Sequence, residues 1–226
     1  MKLGVLFSGG KDSCYALYKA SKEHEIACLL SVFSENPESY MFHTPNIKSV
    51  SLQSQAMQIP LLTRTTKGMK EEELEDLKAL ITEAKDKFNI QGIVTGALAS
   101  VYQSSRIKKI CDELGLKCIN PLWGMSQIDL LNDLLKEKFS VVITAVAAPP
   151  LGRSLLGKQI DNDMIEELTE YANKYKINPA GEGGEIETFV TSAPMFSKNI
   201  VIKKSRIEFS ESDQSGVFII EEAELQ

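Results

Sequence analysis

Ser8-Gly9-Gly10-Lys11-Asp12-Ser13 is the stretch of this chain whose residue types and spacing most directly imply chemistry. Two adjacent glycines let backbone N–H groups approach a ligand closely, and the apolar run Leu3 to Phe7 before them reads as a buried strand. Helical periodicity begins at Ser13 and runs to Lys22, so the turn delivers its N–H groups at a helix N-terminus, where an anion is stabilised. Ser8 and Ser13 add hydroxyl donors and Lys11 a mobile cation, while Asp12 offers an oxygen to a magnesium ion, directly or through water. The spacing matches neither the Walker A loop nor the Gly-x-Gly-x-x-Gly dinucleotide fingerprint. It predicts an anion site.

Three further segments carry candidate residues. Met41 to Asn46 contains His43-Thr44-Pro45-Asn46, a turn leading into a helix, in which His43 either touches substrate or caps the turn. Thr95 to Arg106 repeats the strand, glycine turn and helix sequence at Gly96, so two such turns are expected to embrace one nucleotide. Arg106 lies one helical turn further on, near enough to meet an anion or else a surface arginine paired with an acidic neighbour. Gly181 to Val190 crowds Glu182, Glu185 and Glu187 around a glycine pair ahead of Thr188 and an apolar strand. Like charges so close require a cation or donors between them. Glu185 and Glu187, two apart, are expected on one face of a strand, an arrangement suited to ammonia, a cationic substrate group or a metal.

The elements that must position these residues alternate. Strands are predicted at Leu3 to Phe7, Ile26 to Ser34, Leu61 to Thr65, Ile90 to Gly96 and Lys117 to Ile119, with helices at Ser13 to Lys22, Ile47 to Gln58, Glu71 to Phe88 and Ser100 to Leu114 between them. That alternation implies α/β architecture, a parallel sheet with helices on both faces. Beyond Pro121 the pattern changes. Helices at Gln127 to Lys138 and Asp161 to Tyr175 flank a strand at Val141 to Ala147, and strand-like runs lie around Thr188, Ile200 to Phe209 and Val217 to Ile220. Residues 1–120 are therefore expected to form one α/β domain and 121–226 a smaller α+β domain.

Composition removes several classes. With 226 residues, 43% hydrophobic and 25% charged, the chain reads as globular, and its formal charge of −6 disfavours bulk nucleic-acid binding. Lys203, Lys204 and Arg206 form a local basic cluster, read as the solvated face of a strand. Cys14, Cys28, Cys111 and Cys118 show no Cys-x-x-Cys spacing, and two histidines cannot build a poly-histidine metal centre; the thiols are expected to be buried. The N-terminal apolar run is too short for a signal peptide or a membrane span, which predicts a cytoplasmic protein with no membrane partner.

The Ser8 to Ser13 loop resembles the PP-loop of the N-type ATP pyrophosphatases. With His43-Thr44-Pro45-Asn46, the Gly96-Ala97-x-x-Ser100-x-Tyr102-Gln103 run, Glu182-Gly183-Gly184-Glu185, Cys111-x-x-Leu114-Gly115-Leu116 and Pro121-Leu122-Trp123, the whole chain is similar to the diphthine–ammonia ligase family, in its compact archaeal-type form. The resemblance implies a Rossmann-like ATP-binding domain and ATP-dependent amidation, by ammonium, of the diphthine carboxylate on elongation factor 2. An acyl-adenylate would form, with release of AMP and pyrophosphate. It further implies ATP and pyrophosphate binding by Ser8, Gly9, Gly10, Lys11, Asp12, Ser13, Gly96 and Arg106. Asp12 would place Mg2+, with Lys11, Asp12, Glu185 and Glu187 catalytic. His43, Asn46, Tyr102, Gln103, Glu182, Glu185, Glu187 and Thr188 would contact substrate. A homodimer is compatible with this reading. Trp123 is a candidate for the quaternary ammonium of diphthine or for packing between domains. The competing expectations are a PP-loop enzyme adenylating tRNA for thiolation and a non-catalytic ATP sensor.

Overall fold

The computed structural model describes residues 1–36, 46–69 and 72–226. His43 lies outside these residues. Five parallel strands, β1 (Lys2–Leu6), β2 (Glu25–Ser34), β3 (Leu61–Thr66), β4 (Gly92–Val94) and β5 (Lys117–Ile119), form one sheet in the order β3-β2-β1-β4-β5. The order reverses at β1, so the crevice for a ligand opens at the carboxyl ends of β1 and β4. The two glycine turns leave the sheet at those ends.

Alternation along the strands sends side chains to both faces. Leu3, Val5 and Leu29 bury against α1 (Lys11–Ser21) and α2 (Val50–Met57) on one side. Cys28, Leu30, Val32 and Ile93 bury against α3 (Glu72–Phe88) and α4 (Val101–Glu113) on the other. Leu77, Leu80 and Ile81 of α3 are fully buried, as its periodicity predicts; trimming Leu77 to alanine would cost about 2–5 kcal/mol.

The remainder of the chain is a second, antiparallel sheet in the order β7-β6-β9-β8, built from β6 (Ser140–Val146), β7 (Ile186–Ser192), β8 (Ile200–Ser210) and β9 (Ser215–Leu225), with α5 (Gln127–Lys136) and α6 (Asn162–Tyr175). The first face of the parallel sheet does not close on itself. Its core continues through α1 into Leu130, Leu134, Phe139, Ile143 and Leu168, so both sheets share one apolar interior.

Several boundaries differ from expectation for identifiable reasons. The segment predicted as one helix from Ile47 opens as a 3-10 turn, Ile47–Ser49, after Asn46 in a left-handed conformation, and α2 follows. Lys138 is also left-handed, which stops α5 short. β9 extends beyond Ile220 because Glu221, Glu222 and Glu224 sit on a solvated hairpin. Lys203 pairs there with Glu224 at 2.9 Å, and Lys204 with Glu221 at 3.2 Å, so the basic cluster is a strand face matched by acids of its neighbour. Cys14, Cys28 and Cys111 are buried and Cys118 half-buried.

Candidate active site

β1 ends at Leu6, and the chain turns through residues 7–10 into α1, whose N-cap is Gly10. Gly9 is left-handed (φ 80°), a conformation that disfavours any side chain. The loop is held by its own hydroxyls. The N–H of Ser8 donates to Ser13 Oγ at 3.3 Å, the two serine oxygens lie 3.2 Å apart, and Ser13 Oγ donates to the Gly10 carbonyl at 3.1 Å. Lys11 is buried and its Nζ bonds Asp12 Oδ2 at 2.8 Å. The other oxygen, Asp12 Oδ1, is buried without a hydrogen-bond partner among the described residues. A buried, unused carboxylate oxygen beside a phosphate loop is a natural metal or water ligand.

The second turn packs directly on the first. A Cβ on Gly96 would fall 2.8 Å from the Asp12 carbonyl carbon and 2.9 Å from the Ser13 nitrogen, so only glycine permits this approach. Thr95 Oγ1 donates to Asn120 Oδ1 at 2.6 Å, and Asn120 Nδ2 donates to Ser104 Oγ at 3.0 Å, fixing β4, β5 and α4 around the turn. Ser100 caps α4 by accepting from the Gln103 N–H at 3.4 Å.

The acidic segment packs against the loop. The Lys11 N–H donates to Thr188 Oγ1 at 3.0 Å, and the Val190 N–H donates to the Gly9 carbonyl at 3.0 Å, so the phosphate loop runs along β7. Together these pieces enclose a cleft of about 420 Å³. Ser8, Gly10, Lys11, Asp12, Ser13, Thr95, Gly96 and Gln103 line it together with Glu182, Glu187 and Thr188. Leu30, Val32, Ile47, Leu77 and Ile107 supply an apolar end.

Glu182 and Glu187 are unlike ordinary surface acids. Burial pushes Glu187 up to about 7 against the opposing pull of Lys11, and Glu187 Oε2 has no hydrogen-bond partner among the described residues. Glu182 is raised by burial and by the Asp12 charge, while an N–H at Ala99 donating to it opposes the shift. Carboxylates so placed attract a cation, and Glu187 accepts a proton readily near neutral pH.

Not every expected residue reaches this cleft. Glu185 turns back onto its own loop, accepting from the Asn178 N–H at 3.2 Å, Asn178 Nδ2 at 2.8 Å and the Gly183 N–H at 2.9 Å, so it does not share a face with Glu187. Its residue precedes β7, where strand alternation does not apply. Arg106 lies over the Tyr102 ring at 3.5 Å and lines an open groove between α3 and α4 with Glu72, Glu75 and Glu113. Neither Arg106 nor Tyr102 lines the nucleotide cleft. Asn46 clasps β9, donating to the Phe218 carbonyl at 2.8 Å and accepting from the Ile220 N–H at 2.7 Å. Trp123 is 48% exposed in the turn after β5, so it does not pack between the sheets.

Sequence reasoning missed Gln53, Asn120 and Asn178, whose amides brace the loops named above. Gln53 and Asn120 act on residues distant in sequence, and Asn178 on Glu185 seven residues ahead in an irregular loop, so no periodic pattern marks them. Cys14 is pushed up by burial and the nearby Asp12 charge, and Cys111 by its hydrogen bond to Cys118 and by burial, which makes both poor sulfur nucleophiles at neutral pH. Cys118 is lowered by the same hydrogen bond, away from the cleft lining. Among the described residues no group of His, Cys, Asp and Glu forms a metal cluster, and no helix is long and apolar enough to cross a membrane.

The diphthine–ammonia ligase of Homo sapiens is 34% identical over 233 residues, covering 94% of this chain and 87% of that protein; that of Rattus norvegicus is 35% identical over the same span. The diphthine–ammonia ligase of Saccharomyces cerevisiae is 29% identical, covering 87% of this chain and 33% of its own length. Among solved structures, a predicted subunit of tRNA methyltransferase from Methanocaldococcus jannaschii aligns with a TM-score of 0.44 at 17% identity, covering 86% of this chain and 98% of that one. The diphthamide synthase N-terminal domain matches residues 1–118 and the diphthamide synthase C-terminal domain residues 126–225, so the chain belongs to the diphthamide synthase family.

Proposed function

We propose that this chain is an ATP-dependent carbon–nitrogen ligase that amidates the diphthine carboxylate of elongation factor 2 with ammonium, releasing AMP and pyrophosphate. One observation carries the reading: the phosphate loop and Glu187 line a single cleft, with the loop joined to β7 by the Lys11 to Thr188 hydrogen bond. The loop N–H groups, Ser8, Ser13 and the α1 N-terminus hold the β- and γ-phosphates, with Gly96 permitting close packing behind them. Lys11 neutralises charge on the departing pyrophosphate.

The buried, unpartnered Asp12 Oδ1 fits a magnesium ion and would hold it beside the loop. When bound, the ion would neutralise phosphate charge and align it for in-line attack. The substrate carboxylate attacks the α-phosphate, and Glu187, with Glu182 beside the Gly96 turn, attracts ammonium to the cleft. Glu187 takes the proton that ammonium must lose; ammonia then attacks the acyl carbon and AMP departs. The enzyme supplies position and charge, and no enzyme side chain becomes covalently attached. The same carboxylates suit the quaternary ammonium of diphthine, and His43, Asn46, Tyr102 and Gln103 are retained as proposed contacts of the protein substrate.

The test is incubation of the chain with ATP, magnesium, ammonium and diphthine-bearing elongation factor 2, followed by mass analysis of the modified residue and its nucleotides. Equal yields of amide, AMP and pyrophosphate are expected. ADP as the product would overturn the proposal.

A further inference from the structure

The contact between the phosphate loop and β7 is not made by backbone alone. Gln53, on α2, is fully buried at 0% exposure, far from either glycine turn in sequence. Its Nε2 donates to the Gly9 carbonyl at 2.9 Å and to the Val190 carbonyl at 2.8 Å. The Val190 N–H closes the figure by donating to the same Gly9 carbonyl at 3.0 Å. β7 is the terminal strand of its sheet, and its free edge at Val190 is thus paired with one residue of the loop and one side-chain amide. The amide stands where a further strand residue would stand.

The fit leaves no slack. A Cβ on Gly9 would meet Gln53 Oε1 at 2.3 Å, so the left-handed glycine and the glutamine are matched to each other. Gln53 Oε1 itself is buried without a hydrogen-bond partner among the described residues. A core position chosen for packing would favour an apolar side chain over one that leaves an oxygen unpaired. What the glutamine adds is a fixed distance between residue 9, which begins the phosphate cradle, and residue 190, two residues from Thr188 and three from Glu187.

We propose that Gln53 is a positioning residue that registers the phosphate loop against β7, so that nucleotide bound by the loop and reactants held at Glu187 and Thr188 meet at a set separation. The inference rests on ATP binding at the loop, as in the proposed function, but not on the identity of the acceptor. Displacing reacting groups by an ångström lowers a rate steeply while leaving each ligand's own contacts in place.

The experiment uses Gln53→Met, of similar length but without donors, and Gln53→Asn, which keeps the amide but cannot reach both carbonyls. Hydrogen exchange is followed at β7 and at the phosphate loop with and without ATP, beside ATP affinity and pyrophosphate release at saturating ATP. In the wild type, ATP should slow exchange in both segments. In Gln53→Met it should slow the loop alone, ATP affinity should stay within about 3-fold, and turnover per ATP-binding site should fall about 10²-fold. Gln53→Asn should lie between, and it carries the test if Gln53→Met does not fold.

Turnover per binding site at the wild-type value, with loss only of folded protein, would make Gln53 structural and overturn the proposal. So would a wild-type β7 indifferent to ATP. An inactive wild type whose β7 still responds to ATP would contradict the proposed acceptor and leave the coupling standing.

Discussion

The phosphate loop and the acidic segment beside it reach the same cleft by opposite means. Residues 8–13 satisfy one another over at most five positions, through Ser8, Gly10, Lys11, Asp12 and Ser13. Residues 181–188 draw on partners outside their own run: Asn178 for Glu185, Ala99 for Glu182 and the Lys11 N–H for Thr188, while the Lys11 charge opposes the raised Glu187 carboxyl. The loop's own bonds set its turn, while the Gly9 carbonyl and the Lys11 N–H tie it to β7. A site made of borrowed bonds transmits whatever its partners do, which suits the half of the cleft that must receive a macromolecule and ammonia.

The sharpest break in that contrast is at Asp12. Asp12→Ala removes the unpartnered oxygen and the partner of buried Lys11, and pyrophosphate release should fall by about 10²-fold or more, measured at saturating ATP. Folding should persist, because the serine hydroxyls still hold the loop. Undiminished release would remove Asp12 from the mechanism.

Glu187→Gln tests the acidic segment, with an expected loss of about 10- to 100-fold in amide formation and little change in ATP affinity. The pH profile adds a signature. Since Glu187 titrates at about 7 and acts ionised, wild-type activity should rise through neutral pH, and the variant should lose that limb. Stability should move the other way. A carboxyl raised in the folded state favours folding most below its ordinary range and loses that contribution as pH rises toward 7. The glutamine variant should therefore gain on the wild type between about pH 4.5 and 8, by roughly 3 kcal/mol. A pH-independent difference in melting temperature would show that Glu187 is not buried as described.

Smaller effects separate loop support from chemistry. Glu185→Gln exchanges a charged acceptor of three hydrogen bonds for a neutral amide, and should lower amidation severalfold by loosening residues 178–185, with about 1–2 kcal/mol of lost stability. A loss as deep as that of Glu187→Gln would place Glu185 among the reacting groups instead. Arg106→Ala should cost less than about 1 kcal/mol, the worth of an exposed stack on Tyr102, and leave ATP affinity unchanged. Weakened ATP binding would return Arg106 to the nucleotide site.

The same contrast explains what the sequence discloses. Strand alternation and glycine turns are local signals, so the five parallel strands, the α1 N-terminus and the Gly96 turn are legible from residue order. So is the solvated strand carrying Lys203 and Lys204. Orientation within the acidic segment is not. Glu185 and Glu187 share a spacing that implies a common face, but the strand begins only at Ile186, and Asn178 draws Glu185 away. Arg106 is likewise one helical turn from the site by count, yet its nearest ring is Tyr102, four residues back on the same helix. Gln53 had no signal at all, since its meaning lies in two carbonyls 44 and 137 residues distant.

The most direct test of the account follows heavy-isotope ammonium into diphthine-bearing elongation factor 2 while counting nucleotides. The account predicts one labelled nitrogen in the modified residue for each AMP and each pyrophosphate formed, with both yields lost together in Asp12→Ala. AMP released without nitrogen incorporation, or label incorporated with ADP as the product, would contradict it.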